Sequence, residues 1–180
     1  MYSTWGNGRS DLASLLGFGA LLLVVAGFLG WPAAALSADD HFRQGDFQGR
    51  PSLVVSNDLL ELTILHTSGA FAGLVLKNDA DQINPMWDHI RMARERNQPM
   101  WGLTYVGHFI CVDGFGPPSD DEEKAGLPQH GEARDLAWTT ESAVTRGKIA
   151  ELVQAVHLPR VQEMLKRTIR LVDGENVVYV

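Results

Sequence analysis

The chain has 180 residues, a formal net charge of −7, 45% hydrophobic residues and a single cysteine. This length suits one domain and a leader, and the negative charge argues against an electrostatic surface for nucleic acid. Because Cys111 stands alone, an intramolecular disulfide and a cysteine-based metal cage are both excluded. No low-complexity tract indicates disorder, and no internal repeat is present.

The first 38 residues differ in kind from the rest of the chain. Arg9 precedes an uncharged run from Leu12 to Ala38, in which an apolar centre is followed by Pro32 and several small residues. This order is typical of a cleaved secretory signal peptide, with an uncleaved membrane anchor or a buried core helix as alternatives. We therefore expect a signal peptide or anchor over residues 1–38. The domain is then residues 39–180, and it is extracytoplasmic, either periplasmic or secreted.

The first part of this domain has the pattern of an antiparallel hairpin. Residues 39–50 are polar, which predicts a linker or an irregular arm. A strand with a turn follows over Leu53–Asp58. Apolar and polar residues then alternate over Leu60–Leu65, as expected for a strand with one buried face. Ser68-Gly69 supplies a corner before the return strand Phe71–Leu76.

The middle of the chain predicts short and irregular elements. Asn84 and Pro85 suit the N-cap and first position of a short helix, although an irregular segment is an alternative. Three arginines follow, which we interpret as a solvated face rather than an anion site: Arg91, Arg94 and Arg96. Phe109–Val112 is predicted to be a buried strand, with Cys111 as a small core residue rather than a nucleophile.

A loop rich in glycine and proline ends at Ser119, which is predicted to cap a helical turn that begins with four acidic residues. A calcium site is the alternative, but this run lacks the alternating ligand positions of a calcium loop. The sequence contains no histidine spacing typical of a metal site, no phosphate-binding loop and no dinucleotide-binding glycine motif. We therefore expect no metal and no cofactor.

The last third of the chain predicts strands. They cover residues 137–143, 148–157, 162–171 and 177–180, with Asp173-Gly174 as a hairpin turn. The chain ends inside the last, apolar strand, which is unusual for a complete domain because an apolar edge invites aggregation. The predicted fold class is mostly β, as an antiparallel β-sandwich.

The strongest functional pattern lies at residues 127–138, with the sequence Leu-Pro-Gln-His-Gly-Glu-Ala-Arg-Asp-Leu-Ala-Trp. His130 can exchange a proton near neutral pH, and Arg134 offers a planar fork of donors for an anion or neighbouring hydroxyls. If the segment is a strand, His130, Glu132 and Arg134 share one face. The alternative is a solvated strand edge with a salt bridge between Glu132 and Arg134.

This segment resembles the His-Gly-Phe-Ala-Arg…Trp motif of aldose 1-epimerase-like proteins in the galactose mutarotase-like superfamily, with Glu132 in place of the usual Phe. The resemblance extends more loosely from about Leu53 to the C-terminus, and the hairpin that ends at Lys77-Asn78-Asp79 resembles the opening of that fold. It implies the N-terminal part of a β super-sandwich, with His130 as a catalytic histidine. It also implies a sugar-binding role for Arg134 and, as a stacking platform, for Trp87.

In that family, a second histidine and a late glutamate complete the catalytic site. The resemblance places both beyond Val180, so the chain is expected to be incomplete as a sugar anomer isomerase. His108 and Glu132 are further candidates for contacts with the sugar. The hypotheses are an aldose 1-epimerase-like enzyme, a non-catalytic carbohydrate-binding module, or an inactive fragment. A half sandwich exposes apolar faces, which favours a homo-oligomer.

Overall fold

The computed structural model describes residues 40–99, 106–112 and 114–180. Two antiparallel sheets, each with four strands in sequential order, dominate it. The first contains β1 (Phe42–Phe47), β2 (Arg50–Ser56), β3 (Leu60–Leu65) and β4 (Phe71–Leu76). The second contains β5 (Thr139–Arg146), β6 (Ile149–Leu158), β7 (Glu163–Val172) and β8 (Val178–Tyr179). Two short helices, α1 (His89–Glu95) and α2 (Asp120–Lys124), lie in the connection between the sheets.

The two sheets pack against each other through their apolar faces, as predicted for a β-sandwich. Alternate residues of β3, such as Leu62 and Ile64, are fully buried. They share one core cluster with Leu152 of β6 and Ile169 of β7. Burying such side chains contributes about 1.5–3 kcal/mol each. The period-two pattern of these strands therefore gives the sandwich its central layer.

Asn57 connects the two sheets at one end of the sandwich. Its Nδ2 donates to the carbonyl oxygens of Val172 at 2.6 Å and Glu175 at 2.8 Å. Its Oδ1 accepts from the backbone N–H groups of Leu59 at 2.9 Å and Leu60 at 2.6 Å. One buried amide thus joins the β2–β3 turn to the turn that follows β7.

Three local predictions were wrong. The polar segment after Asp39 is not an irregular arm, since β1 pairs with β2 along its whole length. Asn84 is not an N-cap: helix α1 begins after Asp88, whose side chain caps it, and residues 84–88 form the irregular segment of the alternative, in which the Asn84 side chain bonds to the backbone of Leu74 and Ala72 in β4. Phe109–Val112 is not a regular strand.

Other local predictions were confirmed. Ser119 caps α2 through a capping box with Glu122. Arg91, Arg94 and Arg96 are solvent-exposed.

Within the described residues, no helix has the length and apolar character needed to cross a membrane. The predicted signal peptide or anchor over residues 1–38 lies outside that part of the chain.

Candidate functional site

The candidate site is a cavity of about 480 Å³ beside His130, called the pocket below. One segment of the connection between the sheets, residues 107–111, forms most of it, together with Phe115 and His130. Its described lining residues are Gly107, His108, Phe109, Ile110, Cys111, Phe115 and His130. The lining is therefore mainly apolar and aromatic, with two imidazoles and one thiol as its polar side chains.

His130 is fixed by the glycine-rich loop in front of it. The backbone N–H of Gly116 donates to His130 Nδ1 at 3.1 Å, and the backbone N–H of His130 donates to the Gly116 carbonyl at 2.9 Å. Since Nδ1 accepts a hydrogen bond, the neutral ring carries its proton on Nε2. No residue in the described ranges is hydrogen-bonded to that Nε2. His130 thus offers the pocket one N–H donor.

Two aromatic rings stand edge-on to the His130 imidazole. The Phe109 ring centroid lies 5.6 Å from it and that of Phe115 lies 5.9 Å from it. Phe115 is 91% exposed, so most of its ring is available to a ligand at the mouth of the pocket. Cys111 Sγ lies 3.5 Å from His130 Nδ1. Cys111 is half-buried in the pocket wall, not a core residue as expected from the sequence.

Close backbone approach explains the glycine after His130. Gly131 has φ +76°, and a Cβ built on it would lie 1.7 Å from the Val112 carbonyl oxygen. Gly107 is similar, with φ +70° and a Cβ position 1.9 Å from the Phe71 carbonyl oxygen. Gly107 in the pocket lining and Gly131 next to His130 therefore both lie so close to neighbouring backbone that only glycine fits there.

The segment that contains His130, Glu132 and Arg134 is a series of turns, so the predicted strand with one shared face is wrong. His130 itself has φ +66°, outside the β region. Glu132 is only 2% exposed and does not line the pocket. Its Oε1 accepts from the Arg160 backbone N–H at 2.9 Å instead. The alternative, a solvated strand edge with a Glu132–Arg134 salt bridge, is also not observed, since Glu132 pairs with Arg160 and Arg134 lies beside Asp135.

The other candidate residues differ in whether they line the pocket. His108 lines the pocket, and its backbone pairs with that of Phe71. Arg134 is largely buried, with Nε 3.4 Å from the Asp135 carboxylate, and it does not line the pocket. The Trp87 carbonyl accepts from the Gly107 N–H at 2.6 Å, while its indole stacks on His89. Of the candidates, only His130 and His108 meet in the pocket.

Sequence reasoning missed Phe109, Phe115 and the Gly116 N–H. A signal for Phe115 was present, since it is an aromatic residue between two glycines in a loop close to the His130 motif. The hydrogen bond from Gly116 to His130 had no signal in the sequence, because it depends on how the loop folds back over 14 residues.

Within the described ranges, no cluster of three or more metal-ligating side chains is present.

Comparison with known proteins supports the fold. HI1317 superposes with a TM-score of 0.53 at 14% sequence identity, over 76% of this chain and 46% of that one. The "putative mutarotase (YeaD)" from Salmonella typhimurium also gives 0.53, at 15% identity, over 76% of this chain and 45% of its own. The chain thus has a mutarotase-like β-sandwich fold and spans about half the length of these structures. No family model matches the sequence, and no curated protein matches it.

Proposed function

We propose that this protein binds a carbohydrate in the pocket, as an extracytoplasmic aldose 1-epimerase-like protein. The observation that carries the proposal is the state of His130, whose Nδ1 accepts from Gly116 and whose Nε2–H is left as a donor in an aromatic cavity. A pyranose has apolar C–H faces and a rim of hydroxyl and ring oxygens. Phe109 and Phe115 suit the faces, and the Nε2–H suits an oxygen.

Turnover requires more than this contact. Anomer interconversion needs one group that removes the proton from the C1 hydroxyl and another that protonates the ring oxygen, on opposite sides of the sugar. Among the described lining residues, the groups that titrate are His108, Cys111 and His130, and none is a carboxylate. Carbohydrate binding is therefore better supported than catalysis. For catalysis, His108 is the side chain in the pocket that is available to act with His130.

The proposal rests on the mutarotase-like fold together with the chemistry of the pocket. Trp87 is proposed as a secondary contact at its border, because it bonds to Gly107 in the pocket wall. Arg134 is proposed on its match to the motif alone. Glu132 has a lower claim, since its carboxylate is already hydrogen-bonded to the Arg160 turn.

Saturation-transfer NMR of the full-length chain with D-glucose and D-galactose tests the proposal. We expect transfer to the sugar protons, reduced by His130→Ala and by Phe115→Ala. Loss of one hydrogen bond of about 0.5–1.5 kcal/mol corresponds to a roughly 2- to 13-fold weaker affinity. His157→Ala is the matched control, since this exposed histidine lies on β6 and does not line the pocket. Equal transfer from parent and His130→Ala proteins would refute the site.

Exchange NMR between the α and β anomers in the same samples separates binding from turnover. Faster exchange that His130→Ala and His108→Ala both abolish would show that the two imidazoles act as acid and base. Binding with exchange at the background rate would identify a non-catalytic carbohydrate-binding protein.

A further inference from the structure

Arg167 on β7 is a buried cation outside the pocket. It is 7% exposed, and its guanidinium Nε and Nη2 donate to Gln154 Oε1 at 3.2 and 2.7 Å. Nη2 also donates to the Gly69 carbonyl at 2.5 Å. Burial lowers the pKa of Arg167 to about 10, so the guanidinium is still charged at neutral pH. No carboxylate in the described ranges forms an ion pair with it.

Two aromatic rings take the place of a carboxylate. The guanidinium carbon lies 4.9 Å from the centroid of the Phe71 ring and 4.3 Å from that of the Trp138 ring. A cation held at such distances is attracted to the face of an aromatic ring, most strongly where water is excluded. The charge thus holds together one residue of β4 and one residue just before β5.

Each of these aromatic residues is hydrogen-bonded to a segment that carries one of the two pocket histidines. Phe71 exchanges two backbone hydrogen bonds with His108, at 2.9 and 3.1 Å. Trp138 Nε1 donates to the Ala133 carbonyl at 3.2 Å, three residues after His130. The Trp138 ring also lies against Gly69, where an added Cβ would come within 2.7 Å of it. Arg167 therefore contacts both aromatic residues that hold the His108 and His130 segments.

We propose that Arg167 is a positioning residue that sets the placement of His108 relative to His130 across the pocket. It touches neither histidine and acts through Phe71 on one side and Trp138 on the other. The reason for such positioning, ligand binding in the pocket, rests on the proposed function. Its geometry, however, can be tested without any ligand, so failure of one does not imply failure of the other.

The first test uses full-length protein labelled with ¹⁵N at histidine, in which His130→Gln and His108→Gln assign the ring signals. We expect the parent His130 ring to show the Nε2–H tautomer. In Arg167→Met and Arg167→Lys, both rings should shift, because the fork to Gly69 and Gln154 is lost in each. The matched control is Arg170→Met, a substitution of the same kind on the same strand. Arg170 bonds to Glu151 and is half-exposed.

A milder variant guards against loss of the fold. Trp138→Phe keeps a ring beside the guanidinium but removes the bond to the Ala133 carbonyl, so it should move the His130 signals and leave those of His108. Unchanged signals of both histidines in folded Arg167 variants would overturn the proposal. Global unfolding of both Arg167 variants, with Arg170→Met intact, would also overturn it, since Arg167 would then hold the sandwich rather than the pocket.

The second test is sugar binding. If D-glucose or D-galactose binds the parent protein, Arg167→Lys should weaken that binding roughly 2- to 13-fold, the effect of losing one hydrogen bond of about 0.5–1.5 kcal/mol from a displaced His130. Histidine signals that shift while no sugar binds the parent would uphold the positioning role and reject the proposed function. Undiminished binding by folded Arg167→Lys would overturn the positioning role.

Discussion

Glu132 closes the turn between β6 and β7 by accepting the Arg160 backbone N–H at 2.9 Å, with the Arg160 guanidinium 3.4 Å from its other oxygen. The Val161 N–H adds a longer bond of 3.3 Å. This carboxylate lies two residues from the histidine of the pocket, yet its side chain belongs to a turn of the second sheet. The pocket segment is thereby anchored to that sheet.

We expect Glu132→Gln to lower the free energy of unfolding by about 1.5–3 kcal/mol, because a buried charged acceptor is replaced by a neutral one. Denaturant unfolding of the full-length chain measures this change. Glu163→Gln is the control, an exposed carboxylate at the start of β7. A Glu132→Gln protein with parental stability but weaker sugar binding would instead give Glu132 the ligand role predicted from the sequence.

Gly131→Ala should be far more damaging than a glycine substitution at an open position. Both Gly131 and Gly147 have positive φ, but an added Cβ at Gly147 meets nothing within 4 Å. The conformational cost of about 1–2 kcal/mol is common to both, and Gly131→Ala adds at least ~1–3 kcal/mol of overpacking against Val112. Thermal unfolding of the two variants provides the comparison. Equal losses would show that the contact with Val112 relaxes without cost.

Alkylation of Cys111 should block the pocket. The thiol is the only one in the chain, so iodoacetamide adds one group at a known place. That group would occupy space beside His130, and we expect sugar binding to be lost in proportion to the modified fraction measured by mass spectrometry. Bound sugar should slow the reaction in return. Treated Cys111→Ala protein is the control, and full binding by alkylated protein would show that the ligand lies elsewhere.

The capping box of α2 should respond to acid. Hydrogen bonds from the Ser119 backbone and hydroxyl lower the pKa of Glu122 from its usual value of 4.5. A carboxyl with a lowered folded-state pKa stabilises the fold above its unfolded pKa, and this contribution is lost as pH falls through the folded value. The Ser119 amide signal in NMR should therefore titrate with a midpoint below 4.5, and Glu122→Gln should abolish that titration. A midpoint at or above 4.5 would contradict the capping box.

The sequence predicted the inner strands well because their burial is periodic. In β3, β6 and β7, alternate apolar residues face the core, and period two is visible without any knowledge of the partner strand. Strand β1 escaped notice because it is an edge strand with mostly polar residues, and only its pairing with β2 makes it a strand. Alternating apolar residues indicate a strand with a buried face, whereas a polar edge strand carries no such pattern and is recognised only from its pairing.

The sequence predicted one residue of the site, but it did not predict how the neighbouring residues are arranged around it. His130 was identified from its motif, and it lies in the pocket. The assumption that Glu132 and Arg134 share its face failed, because positive φ at His130 and Gly131 turns the chain. Such turns are set by contacts with distant segments, here Val112 and Gly116, which no local spacing encodes.

The sequential order of strands within each sheet has a consequence for folding. Within the two described sheets, neighbouring strands are also consecutive in the chain, so each sheet can assemble from hairpins with short loops. We therefore expect docking of the two sheets to be the slow step, because the contacts of Asn57 and Arg167 between the sheets span 115 and 98 residues. His108 is paired with Phe71 of the first sheet, and the His130 segment is anchored to the second sheet through Glu132 and Arg160, so the pocket is complete only when the sheets are docked. A ligand of the pocket would therefore stabilise the docked sandwich by mass action and slow its opening more than it speeds its assembly.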